Sequence, residues 1–280
     1  MSRLLHAMLR AGGGKGSYGL SNISFGSRVA SVADFASQDI EINDYGRFVY
    51  LAQNGTTDAV HRHLMSTWWN MSTCSASLND YYDISGTISI FGAFHIPDGG
   101  EQLFAAQSNT IDRFTMPTAY LPSTASHDSG QTLTLNGSGA ASGLVMSPDK
   151  TVAIVADDIL DKIHRYTMST GGDLTIGSYD SGGDITISGA TNFNGLAGSP
   201  DGKHLIAHAL ASGTTPTLYH IEMTTPWDTG TGTVTESLDT TLLPTHQPIT
   251  IRGLKYHKDG GSIYFIGVET GTTYIYQYYL

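Results

Sequence analysis

The chain has 280 residues, of which 40% are hydrophobic and only 14% charged, against ~25% charged in an average soluble domain. Its 33 glycines, with abundant Ser and Thr, disfavour long helices and suit short strands joined by tight turns, while its single cysteine, Cys74, excludes an intrachain disulfide framework and a Cys-rich zinc site. The net charge of −11 splits into +4 over residues 1–33 (Arg3, Arg10, Lys15, Arg28, no acid) and −15 over the remainder, which argues against a nucleic-acid partner.

The N-terminal segment comes first. Leu4, Leu5, Met8 and Leu9 fall on one helical face flanked by Arg3 and Arg10, and Gly12 to Gly19 reads as a hinge. His6 and Arg10 interrupt the apolar run that a secretory signal needs; the Arg-rich, acid-free composition fits a mitochondrial presequence as loosely as it fits a docking arm. Gly14-Lys-Gly-Ser-Tyr-Gly19 has the three glycines of a dinucleotide loop but follows no strand. A helical segment of about nine residues is shorter than the ~12–15 an isolated helix requires, so this arm is expected to order only against a partner groove or a second copy of the chain. The expected division is residues 1–20 as arm and hinge and 21–280 as one folded body.

Beyond the arm a turn recurs: Asp44-Tyr-Gly46, Pro97-Asp-Gly-Gly100, Ser147-Pro-Asp-Lys150, Ser199-Pro-Asp-Gly202 and Lys258-Asp-Gly260, with Asp-to-Asp spacings of 54, 51, 52 and 58. Pro presets the first corner, Asp bonds back to the backbone and Gly takes the left-handed position. A strand-like run follows each turn, for example Phe48-Val-Tyr-Leu and Val152-Ala-Ile-Val. About twenty residues beyond each turn a second block recurs: Val60-His-Arg-His-Leu-Met65, Ile111-Asp-Arg-Phe-Thr-Met116, Ile163-His-Arg-Tyr-Thr-Met168, Leu218-Tyr-His-Ile-Glu-Met223 and Ile275-Tyr-Gln-Tyr-Tyr-Leu280. Strand alternation puts its first and third residues on one face, so Arg62, Arg113, Arg165, His220 and Gln277 are equivalent. Weaker runs at Thr132–Leu135, Ile185–Ile187 and Ser237–Leu243 supply a fourth strand. Four-stranded units that must bury both faces stack radially, which predicts an all-β, five-bladed β-propeller. The fifth unit lacks a fourth strand after Leu280, and counting back from Asp44 assigns that strand to residues ~25–32, around Arg28, Val29 and Ala30.

The fourth repeat, Ser199-Pro-Asp-Gly-Lys-His-Leu-Ile followed by Leu218-Tyr-His-Ile-Glu-Met-Thr-Thr-Pro-Trp-Asp228, resembles the repeat of propellers found in bacterial surface proteins and marine bacteriophage structural proteins. The other repeats depart from Thr-Pro-Trp-Asp, with Ser66-Thr-Trp-Trp69, Pro117-Thr-Ala-Tyr120 and Ser169-Thr-Gly-Gly172. The resemblance implies a non-enzymatic component of a tailed-phage virion (head decoration, tail or tail fibre), located in the virion and docked on other virion proteins by the arm. The alternative is a bacterial surface or periplasmic propeller binding glycans, host surface glycans included, with Trp68, Trp69 and Trp227 as stacking residues. A propeller glycoside hydrolase using channel carboxylates ranks third, with Glu41, Glu101, Glu222, Glu236 and Glu269 as the available glutamates.

No cofactor or metal is expected. His204 and His208 lie on one strand face but ~13 Å apart, too far to share an ion. His61 and His63 read as packing residues, and Asp157, Asp158 and Asp161 lack the spacing of an EF-hand loop.

Overall fold

The computed structural model describes residues 20, 23–30, 37–53, 58–75, 77–87, 91–137, 140–243, 245, 246, 248, 250–269 and 272–280. These form five four-stranded antiparallel sheets. Blade one is β2 (Ser37–Ile42), β3 (Phe48–Gln53), β4 (Ala59–Leu64) and β5 (Asp80–Asp83); blade two is β6 (Phe91–His95), β7 (Gln102–Gln107), β8 (Thr110–Thr115) and β9 (Ser126–Thr134). Blade three is β10 (Ala141–Met146), β11 (Val152–Asp157), β12 (Lys162–Met168) and β13 (Gly177–Ile185). Blade four is β14 (Ala190–Gly198), β15 (His204–Ala211), β16 (Thr215–Met223) and β17 (Gly232–Asp239). Blade five joins β18 (Thr250–Tyr256), β19 (Ser262–Glu269) and β20 (Thr272–Tyr279) to β1 (Ser24–Ala30). The innermost strands β2, β6, β10, β14 and β18 follow one another round the ring and β18 returns to β2. The fold is the five-bladed propeller that the repeat implies.

The ring closes on β1. Its register sets Arg28 opposite Tyr276, Val29 opposite Ile275 and Ala30 opposite Tyr274. Val29 packs against the apolar layer between blades five and one, which contains Ile40, Val49, Ile266 and Ile275. Arg28 pairs with Glu269 on β19 and lays its guanidinium 4.2 Å from the centroid of Tyr274. The closing strand is therefore bound by backbone, apolar and ionic contacts together.

Among the described residues each blade interface holds one apolar layer. The recurring first residues Val60, Ile111, Ile163, Leu218 and Ile275 are all at most 2% exposed, as the alternation requires. The outer strands begin earlier than their apolar runs suggest: β9 starts at Ser126 and β13 at Gly177. An outermost strand has solvent beside it, so its first half is polar and only its end carries an apolar signal. Leu20, counted with the arm by sequence, is 3% exposed and sits in the layer between blades four and five, with its N–H bonded to Glu236. The arm residues Arg3, Leu4, Leu5, Met8, Leu9 and Arg10 lie outside the described residues.

Candidate functional site at the channel mouth

Counted back from the turn Asp, the inner strands carry Gln38, Gly92, Gly143, Gly195 and Gly253 at one position and Asp39, Ala93, Leu144, Leu196 and Leu254 at the next. The glycines let adjacent inner strands touch backbone to backbone: a Cβ on Gly92 would collide with the Ala141 carbonyl, and one on Gly253 with the Asp39 backbone. Blade one departs from this pattern with a buried carboxylate. Asp39 Oδ1 accepts the Ile40 N–H at 2.8 Å and Oδ2 accepts the Phe94 N–H of blade two at 2.9 Å. Burial pushes its carboxyl well above the ordinary range, and the two N–H bonds pull the other way.

Two residues on, Glu41 meets Lys255 of blade five and lies 2.9 Å from His95 Nδ1 of blade two. Burial opposes its ionisation, but Lys255 and His95 outweigh that and draw the carboxyl down to about 2. Asp39, Glu41, His95 and Lys255 thus line a cavity at the channel mouth together with residues of β10 and β14 and the ring of Trp227. Asp39 thus ties blade one to blade two, and Glu41 ties it to blades two and five. A carboxyl held low in the folded chain stabilises fully above its unfolded pKa of about 4.5 and loses that contribution as pH falls towards 2. Glu41→Gln should accordingly be less stable than the parent at pH 7 by about 3 kcal/mol. Between pH 4.5 and 2 its stability should fall less steeply, which chemical denaturation across that range measures.

The three candidate stacking tryptophans do different things. Trp69 (φ 57) and Trp227 (φ 60) occupy left-handed backbone positions, as does Tyr120 (φ 62). Each lays its ring on the turn glycine of its own blade, Gly46, Gly202 and Gly100 respectively, leaving no room there for a Cβ. The carbonyls of Trp69 and Tyr120 then accept bonds from the preceding blade: Gln277 Nε2 to Trp69 at 3.0 Å and Arg62 Nη1 to Tyr120 at 2.7 Å. Arg113 makes the same reach to the Gly172 carbonyl at 2.6 Å, and Arg165 joins Asp180 of its own blade to Asp228 of the next. Four of the five third-position residues, Arg62, Arg113, Arg165 and Gln277, are therefore inter-blade clamps. Trp69 also packs on His257, 4.2 Å between centroids, so Trp69 and Trp227 serve the scaffold on separate blades. Trp68 is 63% exposed and free to stack.

The remaining sequence candidates have structural partners or are buried. Asp157 Oδ1 caps its hairpin through the Ile159 and Leu160 N–H groups, and Asp161 Oδ1 accepts the Asn192 N–H of blade four. His208 is 1% exposed with neither ring nitrogen hydrogen-bonded, and burial pushes it down to about 3, so it stays neutral. Burial and the neighbouring His63 lower His61 to about 4. The Cys74 thiol is pushed up to about 12 by burial, which makes it a poor nucleophile. Asp39, His95 and Lys255 come from three different blades, so their convergence is not readable from their spacing along the chain. The signal was the Asp at a position where other blades carry Ala or Leu.

No family model and no curated protein matches the sequence. Solved structures do. The β-propeller domain of Cps50 (Swd1) from Myceliophteria thermophila is 12% identical, with a TM-score of 0.52, over 92% of this chain and 99% of that one. Hydrazine synthase of Kuenenia stuttgartiensis is 16% identical with a TM-score of 0.51, over 86% of this chain and 58% of that one. A candidate 6-phosphogluconolactonase from Bacteroides fragilis is 14% identical with a TM-score of 0.50, over 85% of this chain and 66% of that one. Their names point to unrelated functions, so what this chain shares with them is the β-propeller fold.

Proposed function

We propose that this protein is a non-enzymatic interaction module of a tailed-bacteriophage virion, docked by the basic segment ahead of Leu20. The observation that carries the non-enzymatic part is the use of the channel carboxylates: both oxygens of Asp39 accept backbone N–H groups, and Glu41 is engaged by Lys255 and His95. Carboxylates so engaged hold blades together. The virion part is supported by the resemblance of the fourth repeat to phage structural propellers. The arm is supported by the clustering of Arg3, Arg10 and Lys15 with apolar residues, and by Leu20 fixing its point of departure between blades four and five.

The test supplies the full chain, or the chain lacking residues 1–19, to assembling phage particles. The truncated chain should keep its far-UV circular dichroism and thermal midpoint yet fail to enter particles. Equal incorporation of both chains would refute arm docking, and turnover of a glycoside by the full chain would replace the reading with a hydrolase. Glycan binding has one favourable observation, the exposed ring of Trp68; it would become the preferred reading if glycan-array binding vanished in Trp68→Ala.

A further inference from the structure

Blade four breaks the clamp pattern. Where blades one to three carry Arg62, Arg113 and Arg165, it carries His220, whose ring is satisfied inside its own blade. Two neighbouring positions change with it. The first residue of the second strand is Phe48, Gln102, Val152 or Ser262 in the other blades and His204 here. Its cross-strand partner is Leu64, Thr115, Thr167 or Tyr279 in the others and Glu222 here. Three metal-ligating side chains thus replace three unrelated sets at one place in a repeat.

They also converge. His204 Nδ1 lies 3.2 Å from His220 Nε2, and one ligand atom from each of His204, His220 and Glu222 falls within 4.8 Å of the others. Two nitrogens held ~2.0–2.1 Å from one tetrahedral ion stand about 3.3–3.4 Å apart, so the imidazoles are already spaced for it. Glu222 is exposed, so a change of its rotamer would close the remaining distance. Thr235 Oγ1, 3.1 Å from His220 Nδ1, is placed to accept that N–H and so leave Nε2 as the nitrogen with a free lone pair, as hydrogen-bond partners of metal-bound histidines do. His220 is buried, His204 half-buried and Glu222 exposed, which gives the ion an anchored floor and an open entrance.

We infer that His204, His220 and Glu222 form a binding site for one divalent transition-metal ion of the Zn²⁺ type, with a fourth position left for water or a partner's ligand. Two nitrogens and one carboxylate suit Zn²⁺, whereas Ca²⁺ and Mg²⁺ prefer all-oxygen sites. Along the strand the nearest histidine to His204 is His208, ~13 Å away; its partner is His220, across the strand pair.

The experiment is calorimetric titration of the tag-free full chain with Zn²⁺, with Co²⁺ absorption as an optical readout. One equivalent of Zn²⁺ should bind, and Co²⁺ should give the visible bands of a tetrahedral site. Glu222→Gln and His204→Gln should each weaken Zn²⁺ more than tenfold and remove the bands, while Thr235→Val should weaken it roughly 10–100-fold. Mg²⁺ should not compete. Failure to bind one equivalent, or binding that Glu222→Gln and His204→Gln leave unchanged, would overturn the assignment. Both substituted residues reach the surface, so both variants should fold and decide the question even if His220→Gln does not.

Discussion

Gly202→Lys should lower stability by about 3–4 kcal/mol, whereas the same substitution made together with Trp227→Gly should cost only about 1 kcal/mol more than Trp227→Gly alone. Gly202 has φ 70 and lies directly under the Trp227 ring. A side chain there meets a left-handed backbone cost of about 1 kcal/mol. It must also displace an aromatic ring, and losing that packing is worth several kcal/mol. Blade three shows the exchange already made: Lys150 (φ 60) occupies the turn position, Gly172 (φ 75) replaces the aromatic residue, and Lys150 Nζ reaches Gln102 Oε1 at 2.8 Å. The pair should therefore be strongly non-additive in a double-mutant cycle, with a coupling of about 2 kcal/mol or more. Additive losses in urea denaturation would mean that ring and glycine do not depend on each other.

Removing residues 1–30 should abolish cooperative unfolding, whereas removing residues 1–19 should leave it intact. The longer truncation strips β1 from β20 and exposes an unpaired edge ending the fifth blade. Six paired positions, each backbone bond worth about 1 kcal/mol net, are lost together with the apolar contacts of Phe25 and Val29. That total is comparable to the whole stability of a typical domain. An exposed strand edge also recruits other chains, so the longer truncation should aggregate during purification. The shorter one retains Leu20 and β1, and size-exclusion chromatography with thermal melts separates the two outcomes.

Much of this fold was legible because its signals are local and repeated. A turn whose Asp and Gly are dictated by backbone geometry, and a strand block with an apolar first and polar third residue, can be read without knowing what they touch. The closing strand was found by counting, since Val29 stands as far before Asp44 as the fourth strands stand before their own next turns. What was not legible depends on contacts between distant residues. Trp69 and Trp227 looked like stacking platforms because the glycines beneath them lie in turns more than twenty residues earlier. Asp39 and Glu41 could not be joined to His95 and Lys255 from sequence, as those contacts exist only once blades one, two and five surround the channel. Along its strand His204 has only the distant His208 as a fellow histidine, whereas the register of β15 with β16 sets Glu222 opposite it and brings His220 Nε2 within 3.2 Å.

One N-terminal strand shuts the ring in a single register. Val29 and Ile275 are direct cross-strand partners, and such pairs have Cα atoms about 4.5–5.5 Å apart, within disulfide range. In a Cys74→Ser background, Val29→Cys with Ile275→Cys should form an intramolecular disulfide on mild oxidation, seen as a monomer that migrates faster on a non-reducing gel. Val29→Cys with Gln277→Cys, two residues out of register, should remain reduced. A cross-link in the second pair but not the first, or dimers in place of cross-linked monomers, would show that another strand closes the propeller.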